Sequence, residues 1–555
     1  MPNLSQLKRQ RMLEFLNKIK AEHTDDESLI AINEIETEIT EKKYGLVWEQ
    51  HEERVDVEMQ TKVPVFTEVA DREIASNEEL PYNFLLEGDN LHSLKLLEKT
   101  HKGKIDLICI DPPYNTGSKD FIYDDLFVDR TDNFRHSKWL SFIHKRLEIA
   151  RELLSEKGLI FISIDDNEVA QLKMLCDTVF GDTNFRGQIA RSTGTPTGQG
   201  NSILINEIDY IIVYSKTDKA VFNGLPFSEE DAKIYNMEDE YGKYLIRPLR
   251  KTGGEDKRED RPSMYYSVSA PDGTKLYPIA PSGYESRWRC AESRYYELCE
   301  EHRIEWQKGK EGWKVYQKFY LEGRTKQPSN LWNNIEGNKK ATITIKDIFG
   351  KAVFDFPKPV ELIKRIIAIG ATENSVILDF FAGSGTTAQA VMELNAEDNG
   401  NRKFILCTNN ENGICENITY QRVKTVITGK RKDGSDYSDG IPANLKYYKT
   451  DYIDKTSPDP DYNIEGELLK HIAEMVQLEY AVKLDGTNYV LLMSDEQADN
   501  FIANDESLAR CKAIYVSTAV LLTAEQQKKL SDNGIAVFVI PDYYFESELL
   551  EVGER

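Results

Sequence analysis

The sequence predicts an α/β fold: a Rossmann-like, doubly wound parallel sheet carrying an inserted domain. Three observations lead there. Short apolar runs of strand length, at 83–86, 105–110, 159–164, 209–214, 375–380 and 403–408, alternate with segments of helical periodicity, as in a sheet covered by helices on both faces. Two of these runs end in unusual turns, Asp111-Pro112-Pro113-Tyr114 and Phe381-Ala382-Gly383-Ser384-Gly385. Between about 216 and 345 the alternation gives way to short strands and aromatic residues interleaved with Arg and Lys, and it then returns.

Taken in order, residues 4–19 place Leu4, Leu7, Met12, Phe15, Leu16 and Ile19 at helical spacing, and a second helix is expected at 27–42. This pair reads as a packing or dimerisation element over 1–75. Residues 63–66 lead into the core. The run 83–86, the turn 87–90 and a helix through Leu91, Leu94 and Leu97 form, with 105–110, a βαβ unit. A helix over 137–154, stopped by Gly158, precedes the strand 159–164, and Asp165-Asp166-Asn167-Glu168 opens the next helix. Residues 192–201, with three glycines among Ser, Thr and Pro, read as a mobile loop. The expected organisation is therefore a core over 76–215, an insert over 216–345, a second core segment over 346–435, and a small α/β domain over 436–555.

At 555 residues the chain exceeds what a single core holds. Its charged fraction of 30% describes a water-soluble surface, and no apolar run reaches the roughly 18 residues of a membrane helix. The start of the chain lacks the apolar segment of a signal peptide. Seven scattered cysteines without C-x-x-C spacing indicate neither a disulfide framework nor a zinc site; the expectation is a reduced, cytoplasmic protein with no metal and no membrane partner. The net charge of −24 conceals a segregation. Residues 451–555 carry 21 acidic and 8 basic side chains, hence −13, whereas 241–330 carry 18 basic and 13 acidic, hence +5. The insert is the part suited to phosphates.

Two prolines cannot continue a strand ladder, so Asp111–Tyr114 must form a stiff turn at a strand's carboxyl end, where open α/β sheets bind ligands. The turn offers a carboxylate, free main-chain carbonyls and an aromatic ring, a set suited to a planar ring bearing an exocyclic amine. A plain proline-terminated loop has the same letters. The second turn, Gly383-x-Gly385-x-x-Ala388 opening a helix, lets a ligand approach the backbone and a helix N-terminus. Asp379 before it can accept from ammonium or hydroxyl donors. A nicotinamide dinucleotide and S-adenosylmethionine both fit such a turn. Together, the two turns suggest methyl transfer to a base nitrogen, with the basic insert reading nucleic acid.

These residues resemble the amino-methyltransferases of DNA: Asp111-Pro112-Pro113-Tyr114 is similar to their D-P-P-Y motif and 379–385 to their F-x-G-x-G motif, in the β-class order. More narrowly, 87–91, Asp111–Gly117, 164–168 and 354–359 resemble the modification (Mod) subunits of type III restriction–modification systems, over roughly 45–425. The resemblance implies that Asp111 and the Pro112 carbonyl accept from the adenine N6 amine and that Tyr114 stacks on a base flipped out of duplex DNA. It implies S-adenosylmethionine held by Asp379, Phe381, Ala382, Gly383, Gly385, Lys358 and Asp89. The strand ending at Thr408 lacks the acid expected for the ribose, and Glu411 is assigned to it. Double-stranded DNA, a homodimer and a separate ATP-dependent restriction (Res) subunit are the implied partners, since the chain has no G-x-x-x-x-G-K-[ST] loop. Cytosine-N4 transfer, a solitary methyltransferase without a restriction partner, an NAD enzyme, and a specificity subunit that recruits a nuclease stay open as alternatives.

Overall fold

Ten strands of the larger unit join in one sheet. A computed structural model describes every residue except 1–3, 24, 41–47, 118–119, 124–125, 195–205, 311, 541–543 and 554–555. Much of the expected loop at 192–201 thus lies outside the described residues. Two compact units emerge, one of Met1–Val221 with Ser329–Arg555 and one of Phe222–Pro328.

In chain order the ten strands are β1 (Lys62–Glu68), β2 (Tyr82–Glu87), β3 (Ile105–Ile110), β4 (Leu154–Ile164), β5 (Phe185–Ser192), β6 (Ile208–Ser215), β7 (Leu331–Trp332), β8 (Val376–Asp379), β9 (Lys403–Thr408) and β10 (Asn444–Asp454). Their order across the sheet is β1-β10-β2-β9-β8-β3-β4-β6-β5-β7. From β10 to β4 the pairs are parallel, whereas β6 runs antiparallel between β4 and β5, and β1 antiparallel to β10. The sheet is therefore mixed, with a parallel centre, where an all-parallel one was the simpler expectation. The parallel centre explains the continuous apolar runs: all six residues of β2 are buried, as are five of six in β3.

The helices that matter to the site are α1 (Leu4–Glu22), α2 (Asp26–Thr40), α3 (Asn90–His101), α4 (Arg135–Leu153), α5 (Val169–Phe180), α6 (Val360–Gly370) and α7 (Thr386–Asp398). Helix α6 buries Leu362, Ile363, Ile366, Ile367 and Ile369 on one face. Helix α4 ends at Leu153, and β4 begins at the next residue. Gly158 is accordingly a strand residue rather than the helix stop it was expected to be.

Three boundaries differ from the sequence reading. Residues 62–68 are a strand of the main sheet, paired along their length with β10. Residues 329–345, expected in the insert, belong to the larger unit, where β7 extends the sheet beside β5. Residues 444–454, expected in a separate C-terminal domain, are β10, and the whole segment to Arg555 clusters with the larger unit. Beyond β10, the strands Tyr489–Leu492, Ala513–Ser517 and Ala536–Ile540 form a parallel three-stranded sheet. Long-range pairing, which local periodicity does not encode, moved all three.

The smaller unit holds a four-stranded antiparallel sheet, in the order Met237–Asp239, Gly242–Pro248, Gly312–Tyr320, Ile304–Gly309. Leu249, Tyr266, Val268, Trp288, Tyr295 and Val315 make its core. Arg247, Arg250 and Arg289 sit close enough for mutual repulsion, and with burial this lowers the Arg289 pKa.

Candidate active site

The two unusual turns leave neighbouring strands. Ile377 and Leu378 of β8 pair with Leu107 and Ile108 of β3. The chain proceeds from β8 to β9 on one side of this point and from β3 to β4 on the other. Connections that leave in opposite directions open a crevice at the carboxyl edge. Asp379 and Asp111 stand on its two banks.

On the β3 side, Pro112 is buried while Asp111 and Tyr114 are half-buried. Lys358 reaches in from the segment before α6. Its Nζ lies 2.8 Å from Asp111 Oδ1, donates to the Tyr114 hydroxyl at 2.9 Å, and sits 4.8 Å from the centre of the Tyr114 ring. Burial, with Asp111 nearby, pushes the Tyr114 hydroxyl well above its ordinary pKa, so Tyr114 stays neutral. Trp139 of α4 donates from Nε1 to the Pro113 carbonyl at 2.7 Å. The corner between carboxylate and ring thus already accommodates a nitrogen donor.

On the β8 side, Gly383 and Gly385 take φ of +49° and +78°. A Cβ on Gly383 would meet Phe354 at 3.0 Å, and one on Gly385 would meet Thr419 at 3.2 Å in a backbone shape that side chains disfavour. The Thr419 hydroxyl donates to the Gly383 carbonyl at 2.6 Å, and Arg422, fully buried, donates to Ser384 Oγ at 2.9 Å and Thr386 Oγ1 at 2.8 Å. The turn is a fixed cradle at the start of α7, braced by Phe354, Thr419 and Arg422. Asp379 accepts from the Thr387 hydroxyl at 2.5 Å and from the Phe381 N–H at 3.1 Å. Burial nevertheless pushes it up to about 7. A cation arriving at the cradle would favour its ionised form.

The remaining assigned residues fall in different places. Phe381 and Ala382 belong to the cradle, with the Ala382 N–H donating to the Cys407 carbonyl at 3.1 Å. Lys358 joins both banks, because its carbonyl accepts from Thr386 Oγ1 at 3.3 Å while its ammonium meets Asp111. Asp89 caps α3, accepting from the Leu91 N–H at 2.7 Å and facing Arg146 Nη2 at 3.3 Å. Next to it, Asn90 donates to the Phe380 carbonyl at 2.8 Å, tying this turn to the cradle. Glu411 is exposed in the short turn after β9. The buried acid at this edge is Glu87 at the end of β2, and it is engaged by Asn410 at 3.2 Å and Arg72 at 3.7 Å.

Sequence reasoning missed a polar layer behind the Asp111 turn. Arg191 at the end of β5 is 1% exposed; it donates to Asn338 Oδ1 at 2.7 Å and lies 3.6 Å from Asp209. Trp139, Asn115, His136 and Glu168 complete that layer. The signal for Glu168 was the Asp165–Glu168 tetrapeptide at the end of a buried strand, which the sequence reading gives as a helix start and as part of the Mod resemblance, without a site role.

The sequence profile of a family described as DNA methylase matches residues 105–420, more than half the chain and both turns. The chain belongs to this DNA methylase family. Among its relatives, the chain is 37% identical over 354 residues to the type III restriction–modification enzyme StyLTI Mod subunit of Salmonella typhimurium, covering 59% of this chain and 52% of that protein. To the EcoPI Mod subunit of Escherichia phage P1 it is 35% identical over 375 residues, covering 59% and 58%. To the type II methyltransferase M.KpnI of Klebsiella pneumoniae it is 38% identical over 385 residues, covering 66% of this chain and 90% of that one. The match thus spans a little over half the length of the two Mod subunits and nearly all of M.KpnI.

Proposed function

We propose that this methylase transfers a methyl group from S-adenosylmethionine to the N6 amine of adenine in duplex DNA, as the modification and specificity subunit of a type III restriction–modification system. The observation that carries the chemistry is the adjacency of the Asp111 and Asp379 turns on β3 and β8. S-adenosylmethionine supplies an electrophilic methyl group on a sulfonium cation. The cradle of Phe381, Ala382, Gly383 and Gly385 suits it because the glycines let a ligand approach the backbone at a helix N-terminus, and Asp379 suits its positive charge. Asp89 and Glu411 belong to the same proposal, as residues at the edge of that half of the crevice.

An exocyclic amine is a poor nucleophile because its lone pair is conjugated with the ring. Asp111, with the Pro112 carbonyl, accepts the amine's N–H bonds and draws the lone pair out of conjugation. Positioning and electrostatic stabilisation of the charge developing on nitrogen are the contributions open to such a site. Tyr114 presents a neutral ring for stacking. Lys358 supports this reading, since its nitrogen already occupies the place of a donor between Asp111 and Tyr114. A base inside a duplex cannot reach that corner, so the nucleotide is flipped out.

The smaller unit, with its clustered arginines and exposed Tyr241, Tyr277, Tyr284 and Tyr296, is the reader of the site in this proposal. A homodimer is supported by the α1–α2 pair, which leaves Met12, Phe15, Ile30 and Ile35 exposed. A Res subunit as partner rests on the Mod relatives. A cytoplasmic location fits the seven free cysteines; among the described residues no helix is long and apolar enough to cross a membrane. Cytosine-N4 transfer is the second reading, since the corner selects an amine rather than a ring. Digesting DNA modified by the protein to nucleosides and weighing them by mass spectrometry decides: N6-methyl-2′-deoxyadenosine is expected, and N4-methyl-2′-deoxycytidine would overturn the adenine assignment.

A further inference from the structure

Asn115 follows Tyr114 directly and takes a φ of +59°, a left-handed conformation that Asn adopts more readily than other residues with side chains, usually with hydrogen bonds to hold it. It is fully buried, so contacts must hold it there. Its Nδ2 donates to the Arg135 carbonyl at 3.1 Å and to Glu168 Oε1 at 2.6 Å. Glu168 is itself fully buried at the start of α5, and its Oε1 lies 2.6 Å from His136 Nδ1 on α4. The turn is therefore gripped twice, by Trp139 at Pro113 and by Glu168 at Asn115. Glu168 Oε2 and Asn115 Oδ1 are buried without a hydrogen-bond partner among the described residues. A buried carboxyl so sparsely satisfied is a net cost to the fold, and stability alone does not account for it.

We infer that Glu168 is a positioning residue for the transfer: by holding Asn115 it aims the Asp111 carboxylate and the Tyr114 ring at the target base. This rests on the methyl-transfer reading above. The groups facing Glu168 are Asn115 from the turn after β3, Arg135 and His136 from α4, and Asp165 from the turn after β4. Burial raises the Glu168 carboxyl to about 8, against the opposing pull of Asn115 and Arg135, and burial lowers His136. At neutral pH the brace is thus a hydrogen-bonded pair of neutral groups. Above about 8 a buried charge replaces it.

The test uses the full chain, with kcat and KM for DNA and for S-adenosylmethionine measured from pH 6 to 9.5 on variants shown by circular dichroism and thermal melting to be folded. Glu168→Ala should lower kcat about 100-fold, the cost of a misplaced reacting group, with KM for the cofactor unchanged. Glu168→Gln keeps the shape and cannot ionise. It should restore most of kcat at pH 7 and remove the wild-type alkaline fall centred near pH 8. A Glu168→Gln profile with the same alkaline fall as wild type, or a Glu168→Ala variant with wild-type kcat, would overturn the inference alone. Wild-type protein that transfers no methyl group would overturn the reading beneath it as well.

Discussion

Arg146 offers the sharpest test of how the crevice is held open. It comes from α4, its side chain is 0% exposed, and its guanidinium makes four contacts: Asn90 Oδ1 at 2.6 Å, Glu53 Oε1 at 2.9 Å, the Phe142 carbonyl at 2.6 Å and Asp89 Oδ1 at 3.3 Å. It also stacks 3.8 Å from the Phe142 ring. Replacing it by Met keeps much of the volume and removes the cation. Asp89 is about one-third exposed and can recover water, but Glu53 is buried and its pKa is already raised by burial. Glu53 keeps Lys145, 4.0 Å from its Oε1, and a buried partner stripped of its near cation costs up to about 3–5 kcal/mol. Arg146→Met should lose that much in urea unfolding of the larger unit, followed by circular dichroism. Adding Glu53→Gln removes the stranded charge and should return roughly 1–3 kcal/mol, a coupling of the size found between contacting residues. The sign with pH is fixed. A carboxyl whose folded pKa is raised costs stability as pH climbs from the unfolded value toward the folded one, so the penalty of Arg146→Met should shrink at pH 5 relative to pH 8. Because Asn90 leans on Arg146 and donates to the Phe380 carbonyl, the variant should also bind S-adenosylmethionine more weakly. A single variant within about 1 kcal/mol of wild type, below the range for a broken buried pair, or a double variant no better than the single, would refute the reasoning.

Three further outcomes follow from the same geometry. Asp379 titrates near 7 and its ionised form is the one that attracts a cation, so calorimetric affinity for S-adenosylmethionine should strengthen as pH rises through about 7, and Asp379→Asn should flatten that dependence; an unchanged slope would remove Asp379 from the cofactor site. Gly385→Ala forces a Cβ to 3.2 Å from Thr419 at a φ of +78°, and should cost about 1–2 kcal/mol while weakening cofactor binding; full affinity in a folded variant would argue against the cradle. Trp139→Phe removes the hydrogen bond to the Pro113 carbonyl, an exchange expected to cost about 1 kcal/mol and to lower kcat more than KM in steady-state assays.

How much of this was legible in the sequence depended on whether a feature was local. The run 105–110 and the two prolines after it are a complete local statement of a buried strand that must stop. The glycine turn is equally local, since positive φ together with Phe354 and Thr419 where a Cβ would stand favours glycine at both positions. What periodicity could not supply was pairing. β10 mixes buried Tyr447 and Tyr448 with polar neighbours, and only its partners β1 and β2 make it a sheet strand. Lys358 was read as a cofactor residue, and the structure sets its ammonium against Asp111 and Tyr114, 247 and 244 positions earlier (358 − 111 and 358 − 114). Glu168 and Asn115 are 53 residues apart and meet only because β3 and β4 are neighbours. Glu411 is assigned by its position after β9, while Glu87, the buried acid on the neighbouring strand β2, stands in the 87–91 segment of the resemblance without a site role.

The central claim is that Asp111 and Asp379, brought to one crevice by β3 and β8, perform methyl transfer to DNA. Incubating the full chain with duplex DNA and S-adenosylmethionine labelled on its methyl group tests this most directly. Label should appear in the DNA with the wild-type protein and be lost in a folded Asp111→Ala variant that still binds the cofactor. Label transferred equally by Asp111→Ala, or no transfer by a wild-type protein that binds both DNA and S-adenosylmethionine, would contradict the account.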